Sequence, residues 1–253
     1  MKLLVLTSNL PFLQHVIDSK IFANITCLSD KNITLSRQHE YTNLNIILSS
    51  KPSDYRNVLL NFDQKAKVMI FGCGYILKKD EISRYDFPIG NFHTGKIPEN
   101  RGRTPLFWDI IESKKASYGT LHCISEEIDM GRVINEVEVI IDIEDNPRSL
   151  ADKLVAKAIK EEIFLTFLKS DIKHILSFTL TSSKGEYKPA FSPGQIFSSN
   201  KYTASQLYLH WRCYQIWGKI LIDGMPIKNI KEIPFEGCFE INCLDNSCLY
   251  ASC

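Results

Sequence analysis

The chain has 253 residues, of which 44% are hydrophobic and 23% are charged. This composition is that of a globular protein and excludes a disordered or fibrous one. The 30 basic and 29 acidic residues leave a formal net charge of +1, so no general field attracts nucleic acid or a membrane surface.

The amino-terminal part of the chain alternates short apolar runs with helical patterns. Buried strands are predicted at 2–7, 24–28, 45–49 and 67–72, and helices at 10–20 and 53–63. Such alternation predicts βαβ units and therefore an α/β fold, with a Rossmann-like, mostly parallel sheet flanked by helices.

The remaining elements are a helix at 104–115, strands at 118–124 and 133–141, one long amphipathic helix from 146 to about 176, and a helix at 203–213. After Ser182 the chain becomes rich in Ser, Gly and Pro, and short strand-like runs follow. We therefore predict two domains, a large α/β domain over 1–182 and a small β-rich C-terminal domain over 183–253.

Neither export nor membrane insertion is indicated. The first apolar run breaks at Thr7, Ser8 and Asn9, unlike a signal peptide, and no apolar run approaches the roughly 20 residues that span a bilayer. Half of the eight cysteines are scattered singly through predicted strands and helices, which favours reduced thiols. We expect a cytoplasmic protein with no membrane partner.

The other four cysteines recur every five residues near the carboxyl terminus, at Cys238, Cys243, Cys248 and Cys253. Zinc sites favour closer cysteine pairs, so this spacing is a weak match to a metal site. Two strands around a turn at 244–247 explain it better.

Polar and special-conformation residues are concentrated in the stretch GNFHTGKIPENRGRTPLFW, from Gly90 to Trp108. Asn91 and His93 are two residues apart, so both side chains would face one side of an extended strand. In an open α/β sheet, ligands bind beyond the carboxyl ends of the strands. An amide beside an imidazole there could hold an oxyanion and move a proton; a hydrogen-bonded strand end with a structural histidine is the alternative.

A basic loop follows this pair. Gly102 would let backbone amides approach an anion, Arg101 and Arg103 offer guanidinium forks, and Thr104 with Pro105 opens a helix. These features predict a local anion site, with a solvated basic loop as the alternative.

A carboxylate follows in a later loop, where Asp129 precedes Gly131. An aspartate near a histidine can fix the orientation of the imidazole and stabilise its charged form. Taken alone, this short pattern is most often a turn.

In combination, these residues resemble the formyltransferase family that takes a one-carbon unit from 10-formyltetrahydrofolate. The resemblance covers roughly the first 180 residues. It is carried by the ordered motifs Asn91-x-His93, Pro98-x-x-Arg101-Gly102, Pro105-x-x-Trp108, Gly119-Thr120-x-His122 and Ile128-Asp129-x-Gly131.

The resemblance implies a catalytic trio of Asn91, His93 and Asp129. Asn91 and His93 would stabilise the tetrahedral oxyanion that forms when an amine attacks the formyl carbon. Asp129 would orient His93 and assist removal of the amine proton. By the same resemblance the formyl donor is 10-formyltetrahydrofolate, no metal is required, and the pterin pocket is lined by Phe71, Gly72, Tyr75, Ile76, Leu77 and Ile128.

Three branches of the family differ in their acceptor. The glycinamide ribonucleotide branch resembles a chain with a Gly-Ser-rich phosphate loop after the first strand, whereas LTSNLPFL at that place contains no glycine. The methionyl-tRNA branch resembles a longer chain with a basic C-terminal domain, whereas residues 203–253 hold four basic and five acidic residues. A net acidic tail is a poor surface for nucleic acid.

The third branch acts on nucleotide-linked amino sugars, commonly dTDP- or UDP-linked amino-dideoxy sugars for O-antigen, and this chain looks most like it. We expect substrate contacts from Lys96, Arg101, Gly102, Arg103 and Tyr187. Arg101 is also expected to brace the catalytic loop through backbone carbonyls, which leaves Arg103 or Lys96 to meet phosphate. Tyr187, Phe191 and Tyr202 could stack on the base, with ordinary packing as the alternative.

A homodimer is expected. Methionyl-tRNA or glycinamide ribonucleotide formyl transfer is the alternative enzymatic function, and a non-catalytic folate-binding protein is the alternative of another class.

Overall fold

The computed structural model of the protein describes residues 1–35, 43–178, 180, 185–191, 195–218 and 220–253. The helices are α1 Leu10–Asp18, α2 Pro52–Asn61, α3 Lys79–Ile82, α4 Pro105–Ile111, α5 Pro147–Lys160, α6 Ile163–Lys169, α7 Ile172–Ser177 and α8 Ala204–Tyr214. The first strands are β1 Lys2–Thr7, β2 Asn24–Ser29, β3 Leu44–Leu48, β4 Lys67–Phe71, β5 Gly90–His93, β6 Arg101–Gly102, β7 Ala116–Cys123 and β8 Val133–Ile140. The later strands are β9 Tyr187–Lys188, β10 Ile196–Phe197, β11 Ile220–Ile222, β12 Met225–Ile227, β13 Asn229–Lys231, β14 Phe239–Asn242 and β15 Cys248–Ser252.

The chain divides into two compact units. The first comprises Met1–Gly102, Tyr118–Val139 and Lys153–Tyr187, and the second comprises Arg103–Ser117, Ile140–Asp152 and Lys188–Cys253. The predicted boundary between residues 182 and 183 lies outside the described residues and stays a prediction.

A seven-stranded sheet has the strand order β3-β2-β1-β4-β5-β7-β8. The five strands from β3 to β5 run parallel, and β7 pairs antiparallel with β5. The prediction of a mostly parallel sheet is therefore confirmed. Since β1 lies between β2 and β4, the order of the strands reverses there, and ligands bind at the carboxyl ends of strands beside such a reversal.

The core of the first unit forms because its central strands are apolar on both faces. Leu3, Leu4, Val5 and Leu6 are fully buried, and each buried leucine contributes about 1.5–3 kcal/mol relative to an exposed one. Below the sheet, the ring of Phe164 on α6 packs against Phe12, Phe71 and Phe92. Alternation along β5 puts Phe92 in this core and its two neighbours, Asn91 and His93, on the opposite face.

The single helix predicted at 146–176 is wrong, because three helices, α5, α6 and α7, occupy this stretch. Glu162 adopts a left-handed conformation with φ of 55°, which ends the first helical run before α6 begins. Ser170 is extended, and Asp171 Oδ1 accepts a hydrogen bond from His174 N, so a new helix starts there.

The carboxyl end of α6 is held by a buried lysine. Lys67 is 1% exposed, and its Nζ donates to the carbonyl groups of Phe167 at 3.1 Å, Leu168 at 2.8 Å and Ser170. The three ammonium hydrogens thus hold three carbonyls at and just beyond the end of α6, where backbone groups lack the hydrogen bonds of the helix interior.

The second unit contains two three-stranded sheets, ordered β10-β11-β12 and β13-β15-β14. Strands β14 and β15 pair antiparallel around the turn, with Asn242 opposite Cys248, so the predicted hairpin at 244–247 is confirmed. All eight cysteines of the chain are free thiols. Among the described residues, no helix combines the length and apolar character that crossing a bilayer requires.

Candidate active site

Asn91 and His93 lie on one face of β5, as the spacing predicted. In the antiparallel ladder between β5 and β7, Asn91 lies opposite His122 and His93 lies opposite Thr120. Asn91 Nδ2 donates to His122 Nε2 at 3.0 Å, and His122 Nδ1 donates to the carbonyl of Cys123 at 2.8 Å. Since a carbonyl can only accept, His122 carries its proton on Nδ1 and is neutral with Nε2 as an acceptor.

Burial keeps His122 neutral. The side chain is 2% exposed, and burial lowers its pKa from 6.5 to about 4, more than the nearby Asp129 carboxylate raises it. His122 therefore orients the amide of Asn91. An amide nitrogen carries two hydrogens, so Asn91 Nδ2 has a second one to offer beyond this hydrogen bond.

His93 is held by the loop that follows it. Its Nε2 donates to the carbonyl of Asn100 at 2.9 Å, while Thr120 Oγ1 donates to the carbonyl of Gly95 at 2.7 Å and fixes the same loop. The other ring nitrogen, Nδ1, lies 3.7 Å from Asp129 Oδ2. Nδ1 is thus the ring nitrogen that faces the carboxylate.

Asp129 lies between two imidazoles. Its Oδ2 accepts the N–H of Gly102 at 3.0 Å, and its Oδ1 lies 3.6 Å from His122 Nε2. Gly102 has φ of 111°, a conformation that other residues rarely adopt, and this brings its N–H to the carboxylate. Gly131 is needed for close approach, because a Cβ there would lie 1.6 Å from the carbonyl oxygen of Cys123.

The arrangement is suited to chemistry at a carbonyl group. An amide N–H and an imidazole can donate to a developing oxyanion, and a carboxylate beside the imidazole can stabilise its charged form and accept a proton. Within the described part of the chain, no three His, Cys, Asp or Glu side chains are grouped as metal ligands would be.

Two of the predicted substrate contacts are used within the chain. Arg101 is 7% exposed, and its Nη1 donates to the carbonyl of Ile128 at 3.1 Å and lies 3.4 Å from Glu127 Oε1. The expected contact of Arg101 with a backbone carbonyl is thus present, and it braces the Asp129 loop. The N–H of Gly102 meets Asp129 instead of a phosphate, because the loop folds onto that carboxylate.

The other predicted substrate residues differ in surroundings. Lys96 is half-buried with its Nζ 4.8 Å from the ring centre of Tyr118, Arg103 is exposed in the second unit, and Tyr187 is 50% exposed. Phe191 stacks on Phe107 with ring centres 5.3 Å apart.

Tyr202 packs edge-on against Phe197 and His210. Phe191 and Tyr202 are thus used in ordinary packing, and Tyr187 alone of the three predicted stacking residues has an exposed ring.

Of the predicted pterin residues, Phe71 ends β4, four lie in the loop that follows it, and Ile128 lies in the Asp129 loop. The side chain of Phe71 is buried against other phenylalanines, so only its backbone could meet a ligand, and Gly72 follows with φ of 63°. Ile76 is 59% exposed and Leu77 is half-buried. In the Asp129 loop, Ile128 is 38% exposed, so its apolar side chain is accessible to a ligand.

Sequence reasoning missed the direct parts played by His122 and by the carbonyl of Asn100. His122 was visible as the last residue of the Gly119-Thr120-x-His122 motif, but nothing in the sequence showed that it faces Asn91 across the ladder. The Asn100 carbonyl is a backbone group, and the sequence carries no signal for its position.

Comparison with solved structures identifies the architecture. A sugar 3N-formyltransferase, WlaRD, crystallised with dTDP and 5-N-formyl-THF, aligns with 100% of this chain and 97% of its own, with a TM-score of 0.74 and 19% identity. The chain has the formyltransferase fold. A second formyltransferase, from Helicobacter canadensis in complex with folinic acid and dTDP-3-aminofucose, aligns with 99% of this chain and 98% of its own, with a TM-score of 0.70 and 17% identity.

Sequence comparison agrees with the formyltransferase fold. The methionyl-tRNA formyltransferase of Bacillus pumilus is 35% identical over 173 residues, which are 64% of this chain and 52% of that protein. The chain thus spans about half the length of this curated relative, and 36% of the Bacillus subtilis protein of the same name. No family model matches the chain. The predicted resemblance to formyltransferases is confirmed by both kinds of comparison.

Proposed function

We propose that this protein moves the formyl group of 10-formyltetrahydrofolate to the amine of a nucleotide-linked amino sugar. The observation that carries the proposal is the Asp129 carboxylate placed between His93 and His122, with Asn91 fixed beside them at the end of β5. Full-length alignment with the WlaRD structure supports the same reaction class.

In the proposed reaction, the amine lone pair forms a bond to the formyl carbon and the carbonyl electrons move onto oxygen. The second N–H of Asn91 and a protonated His93 Nδ1 donate to this oxyanion. Asp129 stabilises the imidazolium and accepts the proton that the amine loses. When the carbonyl re-forms, the bond to the folate nitrogen breaks, and that nitrogen takes a proton from the site.

The donor pocket is proposed to be the loop after β4. The exposed side chains of Ile76 and Ile128 are apolar and could cover the faces of a flat ring, while the backbone of Phe71 and Gly72 offers hydrogen-bonding groups. Leu77 and Tyr75 complete the predicted set.

A nucleotide-linked sugar is favoured over glycinamide ribonucleotide because the start of α1 offers no phosphate cradle. Asn9 Oδ1 accepts the N–H of Phe12 at 2.9 Å, and Pro11 has no N–H to give. The N–H of Asn9 itself is 3.0 Å from Thr7 Oγ1. At the start of this helix, the N–H groups of Asn9 and Phe12 are therefore used within the chain, and Pro11 has none to offer a phosphate.

We propose that Lys96 or Arg103 meets the diphosphate of the acceptor and that the exposed ring of Tyr187 stacks on its base. Methionyl-tRNA is the second candidate acceptor, because the Bacillus pumilus enzyme of that name is 35% identical over 173 residues. Use of the product for O-antigen or another surface glycan, a cytoplasmic location and a homodimer stay predictions.

The test is an acceptor panel. The purified full chain is incubated with 10-formyltetrahydrofolate and with dTDP- and UDP-amino sugars, glycinamide ribonucleotide or methionyl-tRNA, and the products are weighed by mass spectrometry. A gain of one formyl group on at least one nucleotide sugar, absent with His93→Asn, is expected. A gain on glycinamide ribonucleotide or methionyl-tRNA alone contradicts the sugar assignment. Binding of folinic acid without transfer to any acceptor contradicts the enzymatic proposal and favours a folate-binding protein.

A further inference from the structure

A fully buried carboxylate lies behind the predicted donor loop. Glu81, on the short helix α3, is 0% exposed. Its Oε1 accepts from Tyr75 Oη at 2.6 Å and from Arg56 Nη1 at 3.1 Å, and its Oε2 accepts the N–H of Lys78 at 2.7 Å. A buried charge is costly unless it is paired and hydrogen-bonded, and these three donors meet that requirement.

The partners of Glu81 link the loop to a neighbouring helix. Tyr75 lies within the loop, and its ring stacks on Tyr55 with ring centres 5.3 Å apart and planes 20° apart. Tyr55 and Arg56 are consecutive residues of α2. Tyr75 is therefore fixed at both its ring and its hydroxyl, and Lys78 is fixed at the end of the loop.

The loop, residues 72–78, has no regular secondary structure, and its position matters for the site. It leaves β4 beside β5, where Ile70 lies opposite Asn91 and Phe71 opposite Phe92. A segment outside a strand or helix needs other contacts to order it. Without them, a ligand must order the segment when it binds, and this cost lowers the ligand's affinity. Cys73, Tyr75 and Leu77 pack against the hydrophobic core, and two hydrogen bonds, from Tyr75 Oη and from the N–H of Lys78, converge on Glu81.

We propose that Glu81 is a positioning residue that holds the loop of residues 72–78 in its donor-binding conformation, acting through the hydroxyl of Tyr75. The inference rests on the proposed function, because it assigns this loop to the formyl donor. It also reassigns Tyr75, whose hydroxyl and one ring face are used within the chain, from a direct pterin contact to an anchor of the loop.

The test compares Glu81→Gln and Tyr75→Phe with the unaltered protein. Tyr75→Phe removes only the hydroxyl and keeps the ring on Tyr55, whereas Glu81→Gln replaces one accepting oxygen by an NH2 group that must face Lys78 N–H or the Tyr75 and Arg56 donors. Each should weaken folinic acid binding in a calorimetric titration, and raise the donor KM, by about 10-fold or more. The acceptor KM should stay within about twofold, since a local loop change does not alter acceptor contacts.

The matched control is Asp80→Asn. Asp80 is the other carboxylate that contacts Arg56, and its side chain is 53% exposed. The folinic acid affinity and the donor KM of this variant should therefore equal those of the unaltered protein. Circular dichroism sets a temperature at which all variants are folded; if Glu81→Gln does not fold, Tyr75→Phe decides the question alone.

Donor constants unchanged in the folded variants, or donor and acceptor KM raised equally, would overturn the role of Glu81. If instead the unaltered protein neither binds folinic acid nor transfers a formyl group, that result contradicts the proposed function. It would say nothing against the contacts that Glu81 makes with the loop.

Discussion

Asp129→Asn tests the centre of the proposed mechanism with a minimal change in shape. The asparagine can still accept the N–H of Gly102, which Asp129 Oδ2 now accepts at 3.0 Å, so the loop should keep its conformation. What disappears is the negative charge 3.7 Å from His93 Nδ1. The substitution therefore separates the charge of Asp129 from its structural hydrogen bond.

The size of the effect follows from that distance. At an effective dielectric constant of about 20, two unit charges roughly 4 Å apart attract by about 4 kcal/mol. The Asp129 side chain is 11% exposed, so solvent screens part of this attraction. We expect kcat to fall by about 100- to 1,000-fold, because the imidazolium and the amine proton lose their partner mainly in the transition state.

The assay measures kcat at saturating donor and acceptor, together with a folinic acid titration. Donor affinity should change little, because the charge acts on the reacting atoms. Glu126→Gln is the matched control, a neutralised carboxylate in the same loop whose side chain is 62% exposed. Turnover close to that of the unaltered protein would show that Asp129 serves only the turn, and the catalytic trio would lose its third member.

Three further outcomes are expected. Lys96→Ala or Arg103→Ala should raise the acceptor KM by about 10- to 150-fold, and the increase should be larger at low salt than at high salt. If neither substitution raises the KM, and the free amino sugar reacts as fast as the nucleotide-linked form, the diphosphate is not recognised. His122 has a folded pKa of about 4 against 6.5 when unfolded, so only the unfolded chain binds its proton between these values. The free energy of unfolding should therefore fall as the pH drops from 6.5 to 4, and this fall should shrink in His122→Gln; equal urea profiles for both proteins would contradict it. Lys67→Met should lower the free energy of unfolding by about 2–4 kcal/mol, since it leaves buried carbonyls unsatisfied. The control Lys65→Met, at an exposed lysine, should not lower it. Equal urea midpoints for Lys67→Met and the unaltered protein would show that the carbonyl contacts are dispensable.

The sequence was most informative where burial is continuous. Strands such as Lys2–Thr7 and Lys67–Phe71 are apolar on both faces, and their predicted positions agree with the structure to within a residue. The long helix at 146–176 failed because its breaks depend on a left-handed Glu162 and on Asp171 as a cap, and neither interrupts the amphipathic pattern.

For the site, residue spacing predicted that Asn91 and His93 share a face, and the motif order singled out Asp129. The sequence could not show which hydrogen bonds are used inside the chain. Arg101 and Gly102 looked like anion ligands because their residue types are those of anion sites, yet the fold turns both toward the Asp129 loop. The residue type alone does not reveal whether its hydrogen-bond donors are already used within the chain.

The geometry separates the groups proposed for chemistry from those proposed for acceptor choice. Asn91, His93 and His122 lie on paired strands whose register fixes them, and Asp129 is tied to the same unit through Gly102. Lys96 and Arg103 lie between β5 and α4, outside the paired strands β5 and β7, so a change of either side chain leaves that strand ladder intact. A formyltransferase fold built this way can keep one reaction while its loops accommodate different amines. This explains how structures named for sugar acceptors and relatives named for methionyl-tRNA can both match one chain. On this argument the residues proposed for chemistry are common to all the acceptors, so the loop substitutions and the acceptor panel decide which amine is used.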